Sequence, residues 1–319
     1  MMLTMIDHRE ALPRTPEVGV ARTDEAAGVP IRQRSLWRDA VYRFTRNRGA
    51  VASVGVFALI VLYCLLQPVF SPYDANAVDF SQAYLPPSWD HPFGTDNFGR
   101  DLFTRVAVGG RISIGIGFAG TFAILVIGLV YGSIAGFLGG KVDTLMMRFL
   151  DALYGLPYLP FAIITTAILS PEGTATFWTM VAALTVASWL TTARIVRGQI
   201  VTLKQNDYVV AARAVGARWY RLLARHLVPN TFGVLVIAVF LDLPAVVLGE
   251  AFLSFIGLGI NPPTASWGSI AQDGRAAYVI HPLVIVVPSM MIATLVLCAN
   301  FIADGLRDAL DPRTRSDAA

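Results

Sequence analysis

The sequence predicts an all-α polytopic membrane protein with six transmembrane helices, and three observations carry that prediction. Of its 319 residues, 55% are hydrophobic and only 15% charged, too apolar for a soluble domain of this length. Six apolar runs approach the roughly 20 residues that cross a hydrocarbon core as a helix. The basic residues are unevenly spread: nine of 25 precede Ala50, and seven more lie between Arg194 and Arg225. Positive charge concentrates on inner loops, so both regions are expected in the cytoplasm, against lipid headgroups, with no nucleic-acid partner. The excess of arginine over lysine carries no functional weight.

Residues 1–34 are polar, with scattered Pro and Arg and no apolar core, and are expected to form a flexible cytoplasmic segment. Over 35–49, Trp37, Val41 and Phe44 share one helical face, which predicts an interfacial amphipathic helix or a plain basic anchor. The first span is 50–70. An external loop, 71–110, carries five aspartates, and Asp96 is placed to cap a helix beginning near Gly99.

The second span, 112–138, contains two imitations of nucleotide motifs. Gly115, Gly117 and Gly120 satisfy GxGxxG without a preceding strand, and GFLGGKV at 136–142 lacks the first glycine and the magnesium-binding hydroxyl of a phosphate loop. Gly128, Gly132, Gly136 and Gly140 recur every fourth residue and predict a smooth stripe for close helix packing. Lys141 and Arg148 mark a short inner loop. In the third span, 150–169, Pro157 and Pro160 predict a bend or break. A turn at 170–174 leads to the fourth span, 177–193, anchored inside by Arg194 and Arg197.

The fifth span, 231–256, carries Asp242 and Glu250. A carboxylate at the bilayer centre costs about 2.5 to 3.5 kcal/mol on insertion scales, so each must face protein or water. Helical geometry puts the two within about 80° of one another, on either side of Pro244. The preferred reading places Asp242 and Glu250 on a water-lined translocation pathway, against a buried hydrogen bond that merely holds helices together. The sixth span, 279–303, returns inside, and 306–319 forms a cytoplasmic tail, so the six-span domain covers 50–305. Cys64 and Cys298 fall toward opposite leaflets, which disfavours a disulfide. His8, His91, His226 and His281 are scattered, with no HExxH and no GxSxG, so neither a catalytic nor a metal site is expected.

The long polar insertion at 198–229 is the most informative stretch. Within NDYVVAARAVGARWYRLLARHLVPN, at 206–230, Asn206 or Asp207 can cap a short helix and Gly216 can end it in a left-handed turn. In the helix that follows, Arg218, Arg221 and Arg225 share one face and Trp219, Leu222 and Leu223 another, until Pro229 stops it or opens the next. The pattern is a bent helical pair lying flat at the inner surface, where its arginines can equally sit among lipid headgroups.

Ala211, Ala212, Gly216 and Pro229 have the spacing of the EAA signature of ABC importer permeases, which this stretch resembles. Val210 stands at the family's glutamate position, and His226 and Val228 replace the usual Ile and Leu. The His226, Pro229, Asn230 ending is similar to that of C-type dipeptide and oligopeptide permeases. Three further stretches, PFGTDNFGRDLFTRVAVGGRISI at 92–114, GEAFLSFIGLG around Glu250 and NPPTASWG at 261–268, resemble the same family in the same order, as does DGLRDALDPR at 304–313. The resemblance spans about 37–313. It implies the type I ABC importer permease fold in a bacterial inner membrane, both termini inside. It further implies a homologous second permease, two ATPase subunits holding ATP and Mg, and an extracytoplasmic peptide-binding protein. By the same resemblance Ala211, Ala212, Gly216, Arg218, Trp219, Arg221 and Pro229 couple to the ATPases. Asn261, Pro262 and Trp267 belong to the outer loop that meets the binding protein. No cofactor is expected in this chain. A nickel or other small-solute permease of the same family remains open; a secondary carrier would need inverted repeats with broken helices, which are not seen.

Overall fold

The computed structural model describes residues 36–310, apart from 172, 174 and 261. The expected flexible amino-terminal segment and most of the carboxy-terminal tail therefore lie outside the described residues, as does Asn261. The described chain is helical; among the described residues the β pairing is two isolated bridges, Thr95 with Asp101 and Ala175 with Ile260.

Helix α1 (Leu36–Arg46) leads into α2 (Arg48–Phe70), whose first turn is capped by the Asn47 side chain accepting from the Ala50 amide at 3.1 Å. The loop expected outside then reaches α3 (Leu102–Leu138), which starts ten residues earlier than the second span was predicted to. Arg105 and Arg111 hid that start, since two cations interrupt an apolar window. Their charge is answered locally: Arg111 donates to the Cys64 and Leu65 carbonyls of α2, and Arg105 to Asp273. The cap of α3 is Asp101, not Asp96; its carboxylate accepts from the Thr104 amide at 2.8 Å.

Helix α4 (Gly140–Tyr154) follows α3 at once, so Lys141 and Arg148 lie on a helix where an inner loop was expected. It meets α5 (Tyr158–Leu169) at an 89° bend. Pro157 caps α5, and Pro160 falls in its first turn, where the missing amide has no intrahelical acceptor to lose. One proline therefore marks the break and the other does not. Helix α6 (Phe177–Leu203) bends by 52° between Val186 and Ser188 and continues past the predicted end. Its arginines are paired with α4, Arg194 to Asp151 at 2.6 Å and Arg197 to Asp143 at 2.5 Å.

After the short α7 (Asp207–Ala214), α8 (Trp219–Leu222), a π turn (Leu223–Leu227) and α9 (Val228–Asn230) come three further helices. These are α10 (Phe232–Phe255), the short α11 (Trp267–Gly274) and α12 (Leu283–Leu310). Four helices, α2, α3, α10 and α12, are each long and apolar enough to span; counting each bent pair, α4 with α5 and the two halves of α6, the number reaches six.

The α3–α6 interface sets the centre of the bundle, and the glycine stripe makes it. A Cβ on Gly128 would lie 2.9 Å from Thr192 Cβ, on Gly132 2.3 Å from the Ala193 carbonyl oxygen, and on Gly136 2.8 Å from that of Arg197. Gly140 is not part of the stripe: it opens α4 at φ +56° with nothing nearby. Because backbone is what Gly132 meets, no rotamer change relieves a substitution. Gly132→Leu is expected to abolish assembly of the folded subunit and Gly132→Ala to lower its apparent melting temperature. Gly198→Ala, on α6 with open space around it, is expected to be neutral or slightly stabilising. Size-exclusion profiles and thermal scans of the three purified variants check this, and equal behaviour would remove the stripe as the bundle's contact.

Candidate coupling surface and translocation pathway

Residues 206–230 form the predicted bent pair, and the bend has a definite geometry. Helix α7 ends with the Gly216 amide donating to Arg213 O at 2.9 Å and the Ala217 amide to Ala212 O at 3.1 Å. This double closure is a Schellman motif, and it requires a left-handed residue between the two amides. Gly216 supplies it at φ +87°. Arg218 then takes extended backbone as the N-cap of α8, with Trp219 as its first residue. Pro229 sits in the first turn of α9 and so opens a helix.

One side of the pair is anchored. Val209 and Leu227 are fully buried with Val196 and Ile200 of α6 and Leu235 of α10, Leu223 packs against them, and Leu222 is buried too. The other side is bare: Val210, Val215, Trp219 and Tyr220 are exposed, Val215 at 89%. Arg213, Arg218, Arg221 and Arg225 lie among these apolar groups, and among the described residues none of the four forms an ion pair. Ala211 is exposed and Ala212 half-buried. Gly216, Arg218, Trp219, Arg221 and Pro229 are exposed as well, so of the predicted coupling residues only Ala212 is partly covered.

The two carboxylates of α10 separate in role. Glu250 is wholly buried, and both its oxygens are taken, by the Ser113 hydroxyl of α3 and the Ser254 hydroxyl, each at 2.7 Å. The expected pathway position does not fit Glu250, because no surface of its carboxylate is free for a solute. Asp242 is half-buried, accepts from the Thr192 hydroxyl at 2.9 Å and lines a cavity of about 500 Å³ where α4, α5, α6 and α10 meet.

In the loop expected outside, Pro262 is exposed, as a contact residue must be. Trp267 is completely buried: its indole donates to Val106 O at 2.9 Å and its amide to the Ser113 hydroxyl at 3.1 Å. Direct contact with another protein is closed to that side chain; Trp267 instead joins α11 to α3 and, through Ser113, to Glu250. Beside it lies a cluster that the sequence reading missed. Asp96 and Arg105 are 1% exposed; Arg100 reaches Asp96 at 2.7 Å and Asp273 at 3.1 Å, while Arg105 reaches Asp273 at 3.0 Å. His91 meets Asp101 at 2.9 Å. The signal available was a pair of arginines five residues apart at the head of an apolar run. Among the described residues no group of three or more His, Cys, Asp and Glu is arranged to hold a metal ion.

These surfaces give a labelling test of orientation. Cysteines at Ser88 and Thr264, both exposed, are expected to react with an impermeant reagent from outside intact cells, and one at Gln205 only after permeabilisation. Ser266 is unsuitable because its side chain is buried as the cap of α11. The reverse labelling would invert the proposed topology.

Comparison with known proteins agrees with this architecture. Residues 128–316 match the family of binding-protein-dependent transport system inner membrane components, and 35–87 match the N-terminal TM domain of oligopeptide transport permease C. The oligopeptide transport system permease protein OppC of Bacillus subtilis is 42% identical over 299 residues, 94% of this chain and 97% of that protein. OppC of Haemophilus influenzae is 40% identical, covering 92% and 93%, and the dipeptide transport system permease protein DppC of Bacillus subtilis is 39% identical, covering 91% and 90%. With its bundle of membrane helices and a match across more than half its length, this chain belongs to the family of binding-protein-dependent transport system inner membrane components.

Proposed function

We propose that this chain is a permease subunit of an ATP-driven importer that carries dipeptides or oligopeptides inward, paired with a homologous second permease, two ATPase subunits and an extracytoplasmic binding protein. The observation that carries the reading is the bare surface around Gly216. Exposed tryptophan, tyrosine and valine among arginines that form no ion pair among the described residues, held by buried anchors to α6 and α10, suit a groove with acidic edges on another protein. Movement of that protein then reaches the bundle through the same anchors. The names of the relatives support peptide as the substrate class.

ATP and Mg are assigned to the partner ATPases. Residues 136–142, which imitate a phosphate loop, run from the end of α3 into α4 with no strand before them, so the amide cradle of a nucleotide site is not built. The outer loop around Pro262 is assigned to the binding protein, with Trp267 holding it from below. The basic segments support a topology with both termini in the cytoplasm.

The test is uptake by the complete complex in proteoliposomes, with ATP inside, the binding protein outside, and labelled trialanine or Ni²⁺ as solute. ATP-dependent accumulation of trialanine supports the reading. Accumulation of Ni²⁺ alone would move the chain to a metal importer, and uptake without ATP would make it a secondary carrier.

A further inference from the structure

The cavity at the α4–α5 break has a chemistry of its own. Its polar lining is Tyr154, Tyr158, Ser188, Thr191 and Asp242, the rest is apolar, and among the described residues no basic side chain lines it. Asp242 sits near the middle of α10, where an uncompensated carboxylate is costly. The Thr192 hydroxyl reaches Oδ2, and among the described residues no donor reaches Oδ1. The contrast with Glu250, eight residues on and saturated by two hydroxyls, is direct. Arg194 lies 4.2 Å over the Tyr154 ring, but its charge is already answered by Asp151 at 2.6 Å. Tyr154 and Thr191 hydroxyls share a 2.6 Å hydrogen bond, which leaves oxygen lone pairs on the same wall. A half-open carboxylate, hydroxyl acceptors and the Tyr158 side chain, with no basic residue in the described lining, make a receptor for a small positive group.

We propose that this cavity is a waypoint at which an alkylammonium group of the passing solute, the free amino terminus of a peptide or a lysine side chain, pairs with Asp242. The proposal rests on the peptide-importer reading and names the part of the solute that this chain itself reads. Amide groups further along a peptide need only the hydroxyls and the apolar wall, which suits a path that must pass varied sequences. A single ion pair without a saturating set of donors holds the group briefly and lets it go.

The test compares wild type with Asp242→Asn and Asp242→Glu in the complete reconstituted complex, using trialanine, N-acetyl-trialanine and an N-acetyl peptide containing one lysine. The binding protein is the same throughout, so its own preferences cancel when the ratio of rates between two peptides is compared across variants. Asp242→Asn is expected to lower uptake of trialanine and of the lysine peptide roughly tenfold relative to N-acetyl-trialanine, the size of one charge-assisted hydrogen bond, with Asp242→Glu restoring part of it. A change confined to trialanine, or to the lysine peptide, assigns the site to one of the two ammonium sources. Equal losses for all three peptides, or no loss, would overturn the proposal, whereas wild type that moves no peptide at all would overturn the importer reading beneath it. Should Asp242→Asn fail to assemble, Ala245→Cys on the cavity wall gives an independent reading with Asp242 intact. Its rate with a cationic methanethiosulfonate, normalised to a free thiol, is expected to exceed that with an anionic one by about tenfold, since a local negative charge concentrates cations. Equal normalised rates would remove the site.

Discussion

Replacing Asp96 by alanine is expected to destabilise the subunit by about 3 to 5 kcal/mol, the range found when one partner of a buried charge pair is removed. Asp96 is 1% exposed and takes 2.7 Å from Arg100 and 3.5 Å from Arg105, itself 1% exposed. Its Oδ1 also accepts the amides of Phe98 and Arg100 at 2.9 and 3.1 Å, so the same residue holds the turn in shape. The two functions separate by substitution. Asp96→Asn keeps an acceptor for the amides and loses the charge, so it should fall between alanine and wild type. Asp273→Ala should cost less than Asp96→Ala, because the Asp273 side chain is 22% exposed and water can reach the charges it leaves. The apparent melting temperature of the purified complex, followed by tryptophan fluorescence, ranks the three. If Asp96→Ala proves as mild as Asp273→Ala, the cluster is a surface network and the outer loop is held by other contacts.

That cluster also marks where the sequence stopped being readable. Local features were legible because their physics is local: the turn at Gly216 and the glycine stripe from Gly128 to Gly136 depend on residues within one or two turns of each other. Pro157 and Pro160 announced a break, though only backbone context decided that Pro160 begins a helix. The early start of α3 was hidden because Arg105 and Arg111 count against burial until their partners are known. Asp273 lies 168 residues from Arg105 and 173 from Arg100, and nothing in a single chain pairs such distant positions. The same reason kept Glu250 and Trp267 apart in the reading. Both are expensive residues, one for its charge and one for its size, and both were expected to be functional surface. Ser113, a neutral residue in the middle of an apolar run, accepts the Trp267 amide and donates to Glu250, and so turns two separate signals into one buried joint.

Gly216→Val is expected to leave the bundle folded and assembled while reducing transport coupling severely, so that ATP hydrolysis persists as solute uptake falls toward background. Among the described residues a Cβ on Gly216 meets nothing within 4 Å, so the effect does not come from a clash of that atom. It comes from the backbone: at φ +87° an L-residue costs roughly 1 to 2 kcal/mol, and a β-branched one more. The Schellman closure onto Ala212 and Arg213 opens to relieve that strain, and α7 loses its fixed angle to α8. Val209 and Leu227 remain anchored on opposite sides of the bend, so the loss is in the geometry between them and not in the bundle below. Gly216→Asn provides the control, because asparagine enters the left-handed region at much lower cost, and it should retain most of the uptake. Both activities must be measured on one reconstituted preparation, since the prediction concerns their ratio. A Gly216→Val complex that couples as well as wild type would mean that the angle of the bend carries no motion, and the surface it presents would then be only an anchor among lipid headgroups.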